Sequence, residues 1–113
     1  MKLSQIKELL SVQAIYEETD EKELNHVFAS DLMSDALAMI DEGETTLFLT
    51  GLANMQSLRT AEMLDIHTII FVRNKQPDQV MVEAAKDLHL NLYTTSMTMY
   101  EACGHLYRGG MKP

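Results

Sequence analysis

Apolar residues in MKLSQIKELL fall at Leu3, Ile6 and Leu10, a helical spacing that predicts a short opening helix. SVQAIY and LNHVFA then read as two strands around an acidic turn, EETDEKE, which is expected to be a solvated loop. From residue 30 the pattern becomes helix, strand, helix, strand. DLMSDALAMIDE places Met33, Ala36, Leu37 and Ile40 at i, i+3, i+4 and i+7, so these are the predicted core face. Ser30 or Asp31 is the predicted N-cap and Gly43 lies beyond the end. TTLFLT, HTIIFVR and NLYTT are predicted strands, and NMQSLRTAEMLD, PDQVMVEAAKDL and TMYEACGHLY predicted helices, with Pro77 in the first turn of its helix. The unbroken run Ile69-Ile70-Phe71-Val72 suits a strand covered on both faces, as a parallel sheet requires. The prediction is an α/β fold, a mainly parallel sheet with helices packed on it. It is one domain over 1–113, with an opening helix and strand pair (1–29), a βαβ core (30–110) and a frayed RGGMKP tail.

Length and composition restrict the function classes. A chain of 113 residues suffices for one core, with 46% hydrophobic and 23% charged residues. No apolar run approaches the roughly 20 residues that span a bilayer, and Lys7 and Glu8 interrupt the first apolar stretch, so the expectation is a cytoplasmic protein without a membrane segment. The single cysteine, Cys103, agrees with a reducing compartment. A net charge of −8 repels a nucleic-acid backbone, and no nucleic-acid partner is expected.

Candidate chemistry gathers where strands are expected to end. Strand LFLT runs into Thr50-Gly51-Leu52-Ala53-Asn54, in which glycine permits a tight turn and Asn54 can cap the next helix. Free amides at that helix start can hold an anion, with Thr50, Gln56 and the nearby cation Arg59 in support; the competing reading is a structural corner. The turn has neither GxxxxGK[ST] nor GxGxxG. Ser30, Asp31 and Asp35 follow one strand, Arg73 and Lys75 another, and Thr94 and Thr95 a third. The carboxyl ends of parallel strands bring such groups to one crevice, where open α/β sheets bind ligands. The four histidines have no zinc-binding spacing, so no metal and no cofactor are assigned. Cys103 shares a helical stripe with Met99, Ala102 and Leu106 and reads as a small core residue. Tyr100, Gly104 and Tyr107 form a second line on that helix. A helix-interior glycine costs about 1 kcal/mol relative to alanine, so the line suggests either a homodimer interface or close packing beneath the sheet.

The ordered string SDLMSDAL, TGLANMQSLRTAEMLDI, IIFVRNKQPD and TTSMTMYEACGHLY resembles the DRTGG domain, in particular its small stand-alone members, over about residues 28–110. The resemblance implies the fold of the N-terminal domain of HPr kinase/phosphorylase, self-association and a regulatory rather than catalytic role. Relatives lie between CBS domains in regulated pyrophosphatases and ahead of the catalytic domain in some phosphotransacetylases. The Asp-Arg-Thr-Gly-Gly segment that names the family is here Thr50-Gly51-Leu52-Ala53-Asn54, without the acid and the arginine. Some stand-alone relatives are labelled iron–sulfur or hydrogenase-associated proteins, but a cluster needs four thiolates and this chain has one cysteine. The expected function is thus a non-catalytic module that dimerises and senses a small phosphate-bearing or nucleotide ligand. The alternatives are an adaptor beside a redox or phosphotransfer enzyme, and a small phosphoryl- or acyl-transfer enzyme in which Asp35 is the least poor candidate base.

Overall fold

Successive side chains of a strand point to opposite faces of its sheet, so Leu47-Phe48-Leu49 needs apolar cover on both sides. In a computed structural model that describes residues 1–113, five helices provide this cover around one five-stranded sheet. The order is α1 (Leu3–Leu9), β1 (Gln13–Tyr16), β2 (His26–Ala29), α2 (Met33–Met39), a 3-10 turn (Gly43–Thr45), β3 (Thr46–Thr50), α3 (Met55–Leu64), β4 (Thr68–Phe71), α4 (Gln79–Asp87), β5 (Asn91–Thr94) and α5 (Met99–Arg108). The strands lie in the order β1-β5-β4-β3-β2; β2 to β5 are parallel and β1 runs antiparallel along β5. No helix is long and apolar enough to cross a membrane.

The pleat sorts the core into two layers. Leu47, Leu49, Ile70, Val72 and Tyr93 meet Leu3 and Ile6 of α1 and Ala102 and Leu106 of α5. Phe48, Ile69, Phe71 and Leu92 meet α2, α3 and α4 through Met33, Ala36, Leu58, Ala61, Met81 and Ala85. Burying one such large side chain contributes about 1.5–3 kcal/mol, which is why the apolar runs dictate the layering.

Several expectations are corrected. β1 and β2 do not form a pair; they occupy opposite edges of the sheet. Between them the acidic segment is anchored rather than free: Lys7 Nζ donates to Glu17 and Asp20 at 2.6 and 3.2 Å, and Asn91 Oδ1 accepts from Glu18 N–H at 2.7 Å. Leu24 then enters the core. Neither Ser30 nor Asp31 caps α2. The helix starts later, with Leu32 at the cap position, because the Ser30 hydroxyl instead turns the chain by accepting from Leu32 N–H at 2.9 Å. Leu37 stays 46% exposed, since so short a helix buries only Met33 and Ala36 fully. Pro77 precedes α4, whose N-cap is Asp78, with its carboxylate accepting from Met81 N–H at 2.9 Å. The tail is not frayed: Met111 is buried in the core, and Lys112 C=O accepts from Val27 N–H at 3.0 Å, occupying part of the β2 edge.

Candidate functional site

Four parallel strands ending on one side bring the starts of α2, α3, α4 and α5 to the same rim of the sheet. Helix starts carry unpaired amides and the positive end of the helix dipole, so this rim favours negative charge. The end of β2 is tied to β3 by Ser30 N–H donating to Leu49 C=O at 3.1 Å. Asp31 then reaches across the end of β3, where its Oδ1 accepts from Gly51 N–H at 2.7 Å and from the Thr50 hydroxyl at 3.3 Å. The Thr50 hydroxyl accepts in turn from Leu52 N–H at 3.1 Å. Asn54 caps α3 as its residue type predicts, accepting from Gln56 N–H at 3.0 Å and Ser57 N–H at 3.3 Å.

Arg73 follows β4. Its backbone and that of Asn74 are both left-handed, at φ 55° and 56°. Ser11, Asp65 and His89 share this conformation just past the ends of helices, where it is common, whereas Arg73-Asn74 follows a strand. Two non-glycine residues there cost about 1–3 kcal/mol each, and the neighbouring loop holds them: Arg73 N–H donates to Met97 C=O at 2.8 Å and Asn74 N–H to Thr95 C=O at 2.7 Å. The resulting turn sends the Arg73 side chain back across the rim. A Cβ on residue 51 would lie 2.5 Å from an Arg73 terminal guanidinium nitrogen and 3.3 Å from Asp31 Oδ1. Gly51 itself is not left-handed, so what glycine gives here is room for the guanidinium rather than a special turn angle. No ion pair engages Arg73, Lys75 or Arg59.

The structure therefore brings together Asp31, Thr50, Gly51 and Arg73, with Ser30 and Asn54 shaping the turns. Asp35, Gln56, Arg59 and Lys75 are exposed, and no hydrogen bond or ion pair of their side chains ties them to this cluster. Thr94 and Thr95 lie beneath the surface and are already engaged: Thr94 Oγ1 donates to Lys75 C=O at 2.9 Å and Thr95 Oγ1 to Leu10 C=O at 2.7 Å. They brace the rim and offer nothing to a ligand. Two depressions lie away from these residues. One of about 300 Å³ sits beside β2, between His26, Phe28, Met39 and Glu42; another of about 620 Å³ runs along α5, past Tyr100, Cys103, Gly104 and Tyr107.

The rim presents a guanidinium that forms no ion pair, near a carboxylate anchored on a backbone amide. Such a pair suits a ligand that carries both an anionic group and a hydrogen-bond donor. Cys103 is not set up as a nucleophile. Cys103 packs against the core and burial pushes its thiol up, away from the reactive thiolate.

A solved structure gives the fold a context. The crystal structure of the CBS and DRTGG domains of the regulatory region of Clostridium perfringens pyrophosphatase, complexed with the activator diadenosine tetraphosphate, is similar with a TM-score of 0.77 and 18% sequence identity. The likeness covers 93% of this chain and 45% of that one. It supports a DRTGG-related fold. It does not single out the N-terminal domain of HPr kinase/phosphorylase, and the chain spans about half the length of the structure it matches. No protein-family model and no curated protein matches the sequence.

Topology alone forecast the strand ends. The anchoring of Asp31 on the Gly51 amide and the left-handed Arg73-Asn74 pair were missed; the dipeptide has no glycine to flag it, although asparagine tolerates that conformation better than most residues.

Proposed function

We propose that the chain is a cytoplasmic, non-catalytic regulatory module of the DRTGG type, with the fold shared by the N-terminal domain of HPr kinase/phosphorylase. It senses a small phosphate-bearing ligand at the carboxyl rim of its sheet. The observation that carries the reading is the convergence of Asp31, Gly51 and Arg73 from three strand ends, with Arg73 in a strained backbone and in no ion pair. In this reading Arg73 takes the phosphate and Asp31 a hydroxyl or amine of the same molecule, with Lys75 and Arg59 adding charge at the margin. The similar pyrophosphatase region, a regulatory one bound to a dinucleoside polyphosphate, supports choosing nucleotides as the first ligands to try. A thermal-shift screen of adenine nucleotides, diadenosine polyphosphates, acyl phosphates and inorganic phosphate tests this. A ligand at a hundred times its dissociation constant adds about 2.7 kcal/mol, which raises the midpoint by on the order of 10 °C. Arg73→Ala is expected to abolish the shift; a shift of equal size in that variant would remove the rim from the account.

The module is also proposed to act as a homodimer through α5. Tyr100 and Tyr107 are 89% and 64% exposed, and a Cβ on Gly104 would meet nothing within 4 Å. Packing beneath the sheet therefore does not explain this glycine, and a second backbone can approach it. An antiparallel crossing at Gly104 would set Tyr100 of one copy against Arg108 of the other, a self-complementary cation–aromatic contact. Light scattering at micromolar concentration should give twice the chain mass of 12.8 kDa, and a monomeric mass would dispose of the interface.

An adaptor that binds an enzyme through the same face is the second reading, favoured by the exposure of both tyrosines. A pull-down that depends on Tyr100 and Tyr107 while light scattering shows a monomer would select it.

A further inference from the structure

The opposite end of the sheet has a different chemistry. There the 3-10 turn before β3 packs against the end of α3. The contact is close because residue 43 is glycine: a Cβ would overlap the Leu64 carbonyl oxygen and lie 2.9 Å from the Asp65 carbonyl carbon. This approach brings Glu44 to Asp65, the left-handed residue that ends α3, and to His67, just before β4. One ligand atom from each of Glu44, Asp65 and His67 lies within 4.8 Å of the other two.

We propose that these three side chains form a binding site for a divalent transition-metal ion of the zinc class, independent of the rim. The donor set is the first reason. It combines one imidazole nitrogen with two carboxylates, the mixture that suits Zn²⁺ or Mn²⁺ and gives little advantage to Ca²⁺ or Mg²⁺, which prefer all-oxygen sites. The geometry is the second. Donors about 2.0–2.2 Å from one tetrahedral ion stand roughly 3.3 Å apart. His67 Nε2 and Asp65 Oδ1 are already 3.1 Å apart, in a hydrogen bond that an ion would replace, and the exposed Glu44 carboxylate lies within 4.8 Å of both. The third is charge. Neither Glu44 nor Asp65 has a lysine or arginine partner, Asp41 and Glu42 border the same depression of about 370 Å³, and the carboxyl end of α3 adds its negative pole. The donors arise from separate chain segments whose backbones are fixed by the Gly43 contact, the α3 cap and the start of β4. Binding then needs side-chain adjustment only.

Calorimetric titration of chelator-treated, full-length protein with Zn²⁺, and with Ca²⁺ as a control, tests the site. One saturable Zn²⁺ site per chain is expected, with Ca²⁺ at least 100-fold weaker. His67→Gln and Asp65→Asn should each weaken Zn²⁺ by at least the ~10–100-fold that loss of an outer partner costs a metal site. Asparagine adopts the left-handed backbone of residue 65 readily, and the His67 side chain is only partly buried, so both variants should melt within a few degrees of the parent without metal. Absence of saturable Zn²⁺ binding below about 100 μM, or binding unchanged in both His67→Gln and Asp65→Asn, overturns the proposal. In the second case His26 with Glu42 and His89 with Glu18 are the pairs left to hold the ion.

Discussion

The two ends of the sheet differ in what the helices present there. At the carboxyl rim helices begin, and a backbone amide, a hydroxyl and an arginine gather around one carboxylate; at the other end α3 finishes among glutamates, aspartates and a histidine. A parallel sheet with its returning helices creates this polarity before any particular side chain is chosen. The side chains add to the backbone field, with Arg73 at the end where helices begin and Glu44, Asp65 and His67 at the end where α3 finishes. Glycines make the contrast concrete. Gly51 faces the movable end of an arginine, whereas Gly43 faces a backbone carbonyl that has nowhere to go.

The largest predicted effect exploits that difference. Gly43→Ala should destabilise the protein by about 3 kcal/mol, because backbone cannot yield as a side chain does, and lower the melting midpoint by on the order of 10 °C in a calorimetric scan. An unchanged midpoint would show that the 3-10 turn is not held against α3.

Next comes the anchor of the acidic segment, which lies apart from both ends. The buried Tyr93 hydroxyl donates to Glu17 at 2.5 Å, and Lys7 donates to the same carboxylate. Tyr93→Phe should cost about 1 kcal/mol. Burial, reinforced by Glu17, raises the phenol's pKa, and the hydrogen bond to Glu17 raises that of Lys7. Both groups hold their protons more tightly folded than unfolded. Their stabilisation is therefore complete below the unfolded values near 10 and is lost as pH rises through the folded ones. Denaturant midpoints should be level below about pH 9 and fall above pH 10, less steeply in Tyr93→Phe.

Gly104→Ala should act in the other direction. With open space around it, alanine in this exposed helix interior should stabilise a single copy by about 0.5–1 kcal/mol while weakening self-association. Urea melts at low concentration and light scattering at high concentration separate the two effects. Smallest in stability is Gly51→Ala, which the guanidinium can accommodate at a cost below about 1 kcal/mol. Its consequence belongs to the ligand: displacing Arg73 should weaken nucleotide binding at the rim far more than it lowers the melting point.

Layering was legible in the chain because each buried strand carries its own two-sided apolar signature, and Asn54 announced its helix by residue type. Strand partnership was not. The pairing of β1 with β5, rather than with β2, depends on Leu24 and the Lys7–Glu17 anchor, contacts between residues distant in sequence. The docked tail escaped notice for the same reason, since Met111 gains its value only where α5 delivers it. At the rim, strand-end position identified Asp31, Thr50, Gly51 and Arg73 as neighbours, yet it could not distinguish them from Thr94 and Thr95, whose hydroxyls are spent on buried carbonyls. The acidic end had no local motif at all, because Glu44 meets Asp65 and His67 only when Gly43 lets two segments touch.

The most direct test of a sensing rim is a titration of the isotope-labelled protein with diadenosine tetraphosphate, followed by amide NMR. Saturable shifts centred on Gly51, Leu52, Arg73 and Asn74, and absent in Arg73→Ala, are the predicted result. Saturable shifts confined to the β2 depression or to α5, or a spectrum unmoved by this ligand and by the other nucleotides, would contradict it.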